Sequence, residues 1–242
     1  VRDLLSQDFD GTIQRIAEIG YMGVEMAGVY GRSAVDAGRL CRSLGLAVTA
    51  AHLPLPVGDQ RQQVIDTLGE LGTTNLLCAW MPEERFQSVD SIKQVCEELN
   101  AGARAAQEAD LTFGYHNHWW EPARLDGRLV LDVMQDYLDP SVQFEVDVYW
   151  VKVAGYDPAT LLTELGSRVR LVHLKDGPGV RDQPMTAVGQ GVIDCRGVVE
   201  AAEKINANWL IVEMDQVAGD TMTAVSDSYL YLIGQGLAKG RR

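Results

Sequence analysis

Short β-rich runs alternate with longer segments of helical period along the whole chain, and that alternation confines it to α/β folds with a parallel sheet. The runs cover residues 23–27, 47–53, 73–80, 111–118, 142–151, 169–176 and 209–215. Between them Ile13, Ile16 and Ala17 recur at helical spacing before Gly20. Val64, Ile65, Leu68 and Leu71 form a stripe that Gly72 ends, and Val89, Ile92, Val95, Cys96, Leu99 and Ala103 form another. Ser33 and Asp36 open a helix like a capping box, which Gly45 closes, and Asp157-Pro158 places a cap before a proline at the first helical position. No linker or break in composition divides the chain, so 1–242 reads as one domain.

Four of the later runs end in polar pairs spaced i, i+2: His116/His118, Glu145/Asp147, His173/Lys175 and Glu213/Asp215. Side chains two apart on a strand share a face, so each pair projects together from one strand end. Burying so many polar groups without a purpose is costly. Active sites of α/β proteins lie at the C-terminal ends of strands. Recurrence on strand after strand favours a closed (β/α)8 TIM barrel over an open doubly wound sheet, which would gather polar groups at one switch point. Only seven runs are found, and the chain enters a helix soon after Val1-Arg2-Asp3. A first strand upstream of the sequence is expected, because exposed parallel edges are rarely tolerated.

The pairs suggest metal-assisted acid–base chemistry. One imidazole, His173, with two or three carboxylates suits Mn²⁺, Co²⁺, Zn²⁺ or Mg²⁺, with Mn²⁺ the first expectation. Asp147 and Glu213 are the carboxylates most readily assigned to the metal. Glu145 and Asp215 share their faces and could orient ligands or act as bases. Lys175 could steady a developing oxyanion or pair with Asp147 or Asp176. In His116-Asn117-His118-Trp119-Trp120-Glu121, the histidines could give one ligand and one substrate contact. The tandem tryptophans form either a stacking wall for a sugar or a plug over the barrel mouth. Glu25, His52, His118, Trp119, Glu121 and Trp150 are candidate substrate contacts. Gly189-Gln190-Gly191 lacks any Walker or Rossmann context and reads as a flexible stretch of backbone.

Bulk properties remove several alternatives. With 34 acidic against 21 basic residues the formal net charge is −13, which disfavours nucleic acid as a partner. No run of about 18 apolar residues is present to cross a membrane. The four cysteines Cys41, Cys78, Cys96 and Cys195 form no C-x-x-C and read as reduced packing residues, which favours a cytoplasmic setting. The chain starts at Val1 rather than Met, which leaves room for a removed leader. No G-x-S-x-G or P-loop appears.

At these residues the chain resembles the sugar phosphate isomerase/epimerase group of the xylose isomerase-like TIM barrels. The resemblance rests on Val1-Arg2-Asp3, Glu18 to Glu25, Tyr115-His116-Asn117-His118, Glu145 to Trp150, His173 to Asp176, Val188 to Gly191 and Val212-Glu213, in that order. It implies one divalent metal held by Glu, Asp, His and Glu from the last four strands. Asp147, His173 and Glu213 are similar to three of these. At the first position the sequence departs: His116 stands there, or Glu145 supplies the carboxylate from the next strand. The expected activity is isomerisation or epimerisation of a sugar, keto-sugar or polyol, with Glu145, Lys175 and Glu213 doing the proton chemistry. Dehydration or lyase chemistry on a keto-sugar or keto-glycoside, endonuclease IV-like hydrolysis and a non-catalytic sugar-binding barrel are the alternatives. A homo-oligomer is compatible with the sequence.

Overall fold

The computed structural model describes residues 1–241. Seven parallel strands form one sheet in the order β1 (Gly23–Met26), β2 (Ala47–His52), β3 (Asn75–Cys78), β4 (Thr112–His116), β7 (Gln143–Asp147), β8 (Val169–Leu174) and β9 (Trp209–Val212). A two-residue hairpin, β5 (Arg124–Leu125) with β6 (Arg128–Leu129), lies apart from it. The helices are α1 (Arg2–Gln7), α2 (Phe9–Ile19), α3 (Ala34–Ser43), α4 (Arg61–Leu71), α5 (Val89–Gln107), α6 (Val130–Tyr137), α7 (Val148–Val153), α8 (Pro158–Leu165), α9 (Cys195–Lys204) and α10 (Thr221–Gly234). The sheet curls into a nearly closed barrel. Its seam lies between β9 and β1, where a cleft lined by Val1, Arg2, Val24, Glu25, Leu210 and Glu213 takes the place of an eighth strand.

Local chemistry sets the helix ends. Ser33 accepts from the Asp36 amide at 3.1 Å, and its hydroxyl donates to the Asp36 carboxylate. That is half of the expected capping box, since Asp is too short to reach back to the Ser33 amide. Gly72 ends α4 with φ +84°, a left-handed conformation that favours glycine. Asp157 accepts from the Thr160 amide with Pro158 at the first turn, as read from the sequence.

Strand lengths differ from the sequence reading. The run 142–151 was expected to be one strand, but it breaks at Asp147 and continues as α7. Oδ1 of Asp147 accepts from the amides of Tyr149 and Trp150, and this N-cap turns a β-rich run into a helix. Likewise His118, Lys175, Glu213 and Asp215 lie just beyond their strands rather than on them.

Apolar side chains fill the space between strands and helices, from Ile13 and Leu68 through Leu99, Phe144 and Leu162 to Val198. Inside the barrel a smaller cluster of Ala50, Leu77 and Leu171, packed by Trp209 and Ile211, forms an apolar floor. The four cysteines are buried and free. Among the described residues no helix is long and apolar enough to cross a membrane.

Candidate active site

Register brings the polar groups together. His116 is paired with Glu145 across β4 and β7, and Asp147 with His173 across β7 and β8. Parallel strands in this register point the paired side chains to the same face, so imidazoles and carboxylates stack in the barrel interior above the floor.

Two levels result. At the upper level one ligand atom each of Asp147, His173 and Glu213 lie within 4.8 Å of one another. Nδ1 of His173 is 2.7 Å from Oε2 of Glu213. Nζ of Lys175 lies 3.0 Å from Asp147, 2.9 Å from Glu213 and 2.8 Å from Asp215. Arg2, from the helix that borders the seam, donates to Glu213 at 2.6 Å and stands 3.6 Å from Asp215. At the lower level Oε2 of Glu145 is shared by His52, His116 and His173 at 2.9, 3.0 and 3.2 Å. Glu25 lies 2.8 Å from His52 and 3.0 Å from His173.

Electrostatics follow from these contacts. Burial opposes charge on His173, but Glu145, Glu25 and Glu213 outweigh it and hold the ring's pKa well above the ordinary value. Burial likewise opposes the charge on His52, yet Glu25 and Glu145 lift it to about 10. Burial also works against the Lys175 ammonium, and Asp147, Glu213 and Asp215 more than compensate, so its pKa is raised. Burial would raise Glu213, but Lys175 and His173 keep it ionised well below the usual carboxylate range. Glu145 is lowered in the same sense, with the histidines overcoming its complete burial. His118 is pushed down to about 2, first by burial and then by His116, so it is a neutral ring.

The arrangement fits a divalent cation. Glu25, Glu145, Asp147, Glu213 and Asp215 outnumber the fixed cations Arg2 and Lys175. Oδ2 of Asp147, Oε1 of Glu145 and Oε2 of Glu25 are buried with no aligned hydrogen-bond donor; Oδ2 of Asp147 has only ionic contacts, with Lys175 at 3.0 Å and His116 at 3.9 Å. Carboxylate oxygens with imidazole nitrogen are donors for Mn²⁺, Co²⁺ or Zn²⁺.

Other candidate residues separate by position. His116 turns Nδ1 to Glu145 and stands 3.9 Å from Asp147 through Nε2. Trp119 and Trp150 lie edge to face with centroids 5.0 Å apart, and Lys175 is 5.5 Å from the Trp150 ring. They line the mouth, whereas Trp120 is buried, stacked on His118 at 4.4 Å and packed near Phe86. Glu121 is not brought into the site. It is fully buried, accepts from Tyr115 Oη at 2.5 Å and from the His118 amide at 2.7 Å, and burial raises it to about 8.

Two residues that shape the site escaped sequence reasoning. Arg2 reaches the site only because α1 folds against the seam. Asp176, considered earlier as a partner for Lys175, instead accepts from the amides of Gly177, Gly189, Gly191 and Ile193. A Cβ at Gly191 would lie 2.2 Å from its Oδ1, so this glycine serves close approach rather than flexibility. The anchored loop carries Arg181 to 3.9 Å over the Trp119 ring.

Comparison with known proteins agrees with this architecture. A family model for the xylose isomerase-like TIM barrel matches residues 13–229. An inosose dehydratase from Clostridium beijerinckii is 24% identical over 142 residues, 51% of this chain, and the match spans 47% of that relative. The crystal structure of a sugar phosphate isomerase/epimerase from Parabacteroides distasonis superposes with a TM-score of 0.82 at 23% identity, covering 98% of this chain and 92% of the other. A probable 3-DHS dehydratase involved in petrobactin synthesis in Bacillus anthracis superposes at 0.66 with 12% identity, covering 93% of each chain. At these identities the structural likeness speaks for the fold alone. The extent of the family match settles the kinship: the chain belongs to the xylose isomerase-like TIM barrel family.

Proposed function

We propose that this chain is a divalent-metal-dependent isomerase or epimerase of a sugar, keto-sugar or polyol, working by proton abstraction next to a carbonyl. The observation that carries the reading is the convergence of Asp147, His173 and Glu213 beside the buried ammonium of Lys175. Asp147, His173 and Glu213 would hold the metal, with Mn²⁺ the first choice. A divalent cation supplies Lewis-acid polarisation of the carbonyl and its neighbouring hydroxyl, which acidifies the intervening C–H.

The protein's own groups do the rest. Glu145, sealed below, accepts from the rings and fixes their orientation. Glu213 is partly exposed and held ionised beside Lys175 and His173, and it removes the proton. Lys175 stays protonated and stabilises charge developing on the substrate oxygen. Nε2 of His116 faces the same space and moves protons between oxygens. Trp119 and Trp150 offer apolar ring faces to a sugar. Similarity to an inosose dehydratase supports a second reading, in which the same abstraction ends in loss of a β-hydroxyl.

The test is a screen of keto-sugars and polyols for Mn²⁺-dependent turnover, with products separated into isomers and dehydrated species. His173→Ala should lose about 10³-fold or more in kcat/KM, consistent with removal of a ligand and an orienting group. Full turnover in that variant, or turnover indifferent to a chelator, would overturn the reading in favour of a metal-free reaction, and no turnover of any substrate with Mn²⁺ bound would overturn it in favour of a sugar-binding barrel.

A further inference from the structure

The lower level is built more elaborately than the proposed reaction requires. Imidazole nitrogens from β2, β4 and β8 surround one carboxylate oxygen of β7 at 2.9 to 3.2 Å. The ligand atoms of His52, His116, Glu145 and His173 all lie within 4.8 Å of one another. The three ring centroids are separated by 5.6, 5.9 and 4.8 Å; the His52 and His173 rings are nearly parallel and His116 is turned 49° and 60° from them, which closes the third side. Ligands on a tetrahedral ion with bonds of about 2.0–2.1 Å stand roughly 3.4 Å apart, so the three contacts of the Glu145 oxygen with the rings need lengthen by only a few tenths of an ångström.

Two further observations point to a cation. Oε1 of Glu145 and Oε2 of Glu25 are buried there without any hydrogen-bond partner. The His173 ring also separates two distinct faces. Its Nδ1 meets Glu213 above, while its Nε2 meets Glu25 and Glu145 below.

We propose that this cage is a second divalent-cation site, stacked beneath the first along the barrel axis. His52 through Nε2, His116 through Nδ1, Glu145 and Glu25 hold the lower ion, while His173 serves the upper one through Nδ1. The lower site has more nitrogen than the upper one. It therefore favours Zn²⁺ or Co²⁺, whereas the carboxylate-rich upper set suits Mn²⁺ or Mg²⁺. The lower ion is structural: it fixes both rings that border the reacting space and lies away from the mouth.

The experiment loads the full chain with Zn²⁺, removes weakly bound ion by gel filtration and measures bound metal per chain by elemental analysis. The wild type should retain about two equivalents, and His52→Ala and Asp147→Asn about one each, since each variant removes one ligand set. His52→Gln, checked by circular dichroism, replaces the alanine variant if that fails to fold. One equivalent that survives His52→Ala and disappears in Asp147→Asn would overturn the lower site and leave the proposed reaction standing. One equivalent with the opposite dependence would support the lower site and remove the upper ion on which the reaction depends. No retained metal would overturn both.

Discussion

The mouth and the floor of this site use similar residue types in opposite ways. Above, Asp147, Glu213 and Asp215 surround an ammonium, and Glu213 and Asp215 keep 18% and 31% of their side chains exposed. Below, Glu145 is completely buried among imidazoles, with Glu25 at 6%. Exposure lets Glu213 and Asp215 meet a substrate, while Asp147 is fully buried behind them. Burial confines the lower ones to orienting rings or holding an ion. The difference teaches that a carboxylate's role in this barrel is set by its height above the apolar floor more than by its identity.

The largest effect that would break this division is expected from Lys175→Met. Removing the ammonium leaves Asp147, Glu213 and Asp215 unbalanced, so kcat should fall about 10²- to 10³-fold. The metal-free protein should lose roughly 3–5 kcal/mol, as when one partner of a buried pair is deleted. Denaturation with and without Mn²⁺ checks this, and added Mn²⁺ should restore much of the loss.

Glu145→Gln should act differently. Apparent metal affinity is expected to weaken about 10- to 100-fold, while kcat at saturating metal changes far less. A kcat collapse that excess metal cannot rescue would move Glu145 from the floor to the reacting centre. In the wild type the affinity should tighten as pH rises, because a cation must displace the proton that Glu145, Glu25 and Glu213 hold on His173.

Glu121 lies outside both levels and gives the smallest effect, on stability alone. Its folded pKa, raised to about 8 by burial, exceeds the unfolded value, so the folded state favours the protonated form. Its contribution is full below the ordinary carboxylate pKa and is lost as pH rises through about 8. Thermal melts of the wild type should decline across that window relative to Glu121→Gln, with kcat/KM little changed.

Much of this was legible in the sequence because strand periodicity is local. The i, i+2 pairs placed Asp147, His173, Lys175 and Glu213 at strand ends, and helical stripes placed the surrounding helices. What escaped depends on tertiary register. Glu25 and His52 looked weak alone and gain meaning only where β1 and β2 curl towards β8. The apolar run after Asp147 reads as strand until a single side chain caps it into α7. Asp176 and its glycines are 13 and 15 residues apart, too far for a local pattern to expose.

The most direct measurement of the central claim follows hydrogen exchange at carbon. A keto-sugar that the protein turns over is incubated in D₂O with Mn²⁺, and deuterium at the carbon next to the carbonyl is read by NMR. Uptake that needs Mn²⁺ and disappears in Glu213→Gln, with the variant still folded, is the expected result. Turnover without uptake in either solvent-exchange direction, or undiminished uptake in Glu213→Gln, would contradict proton abstraction by the upper carboxylates.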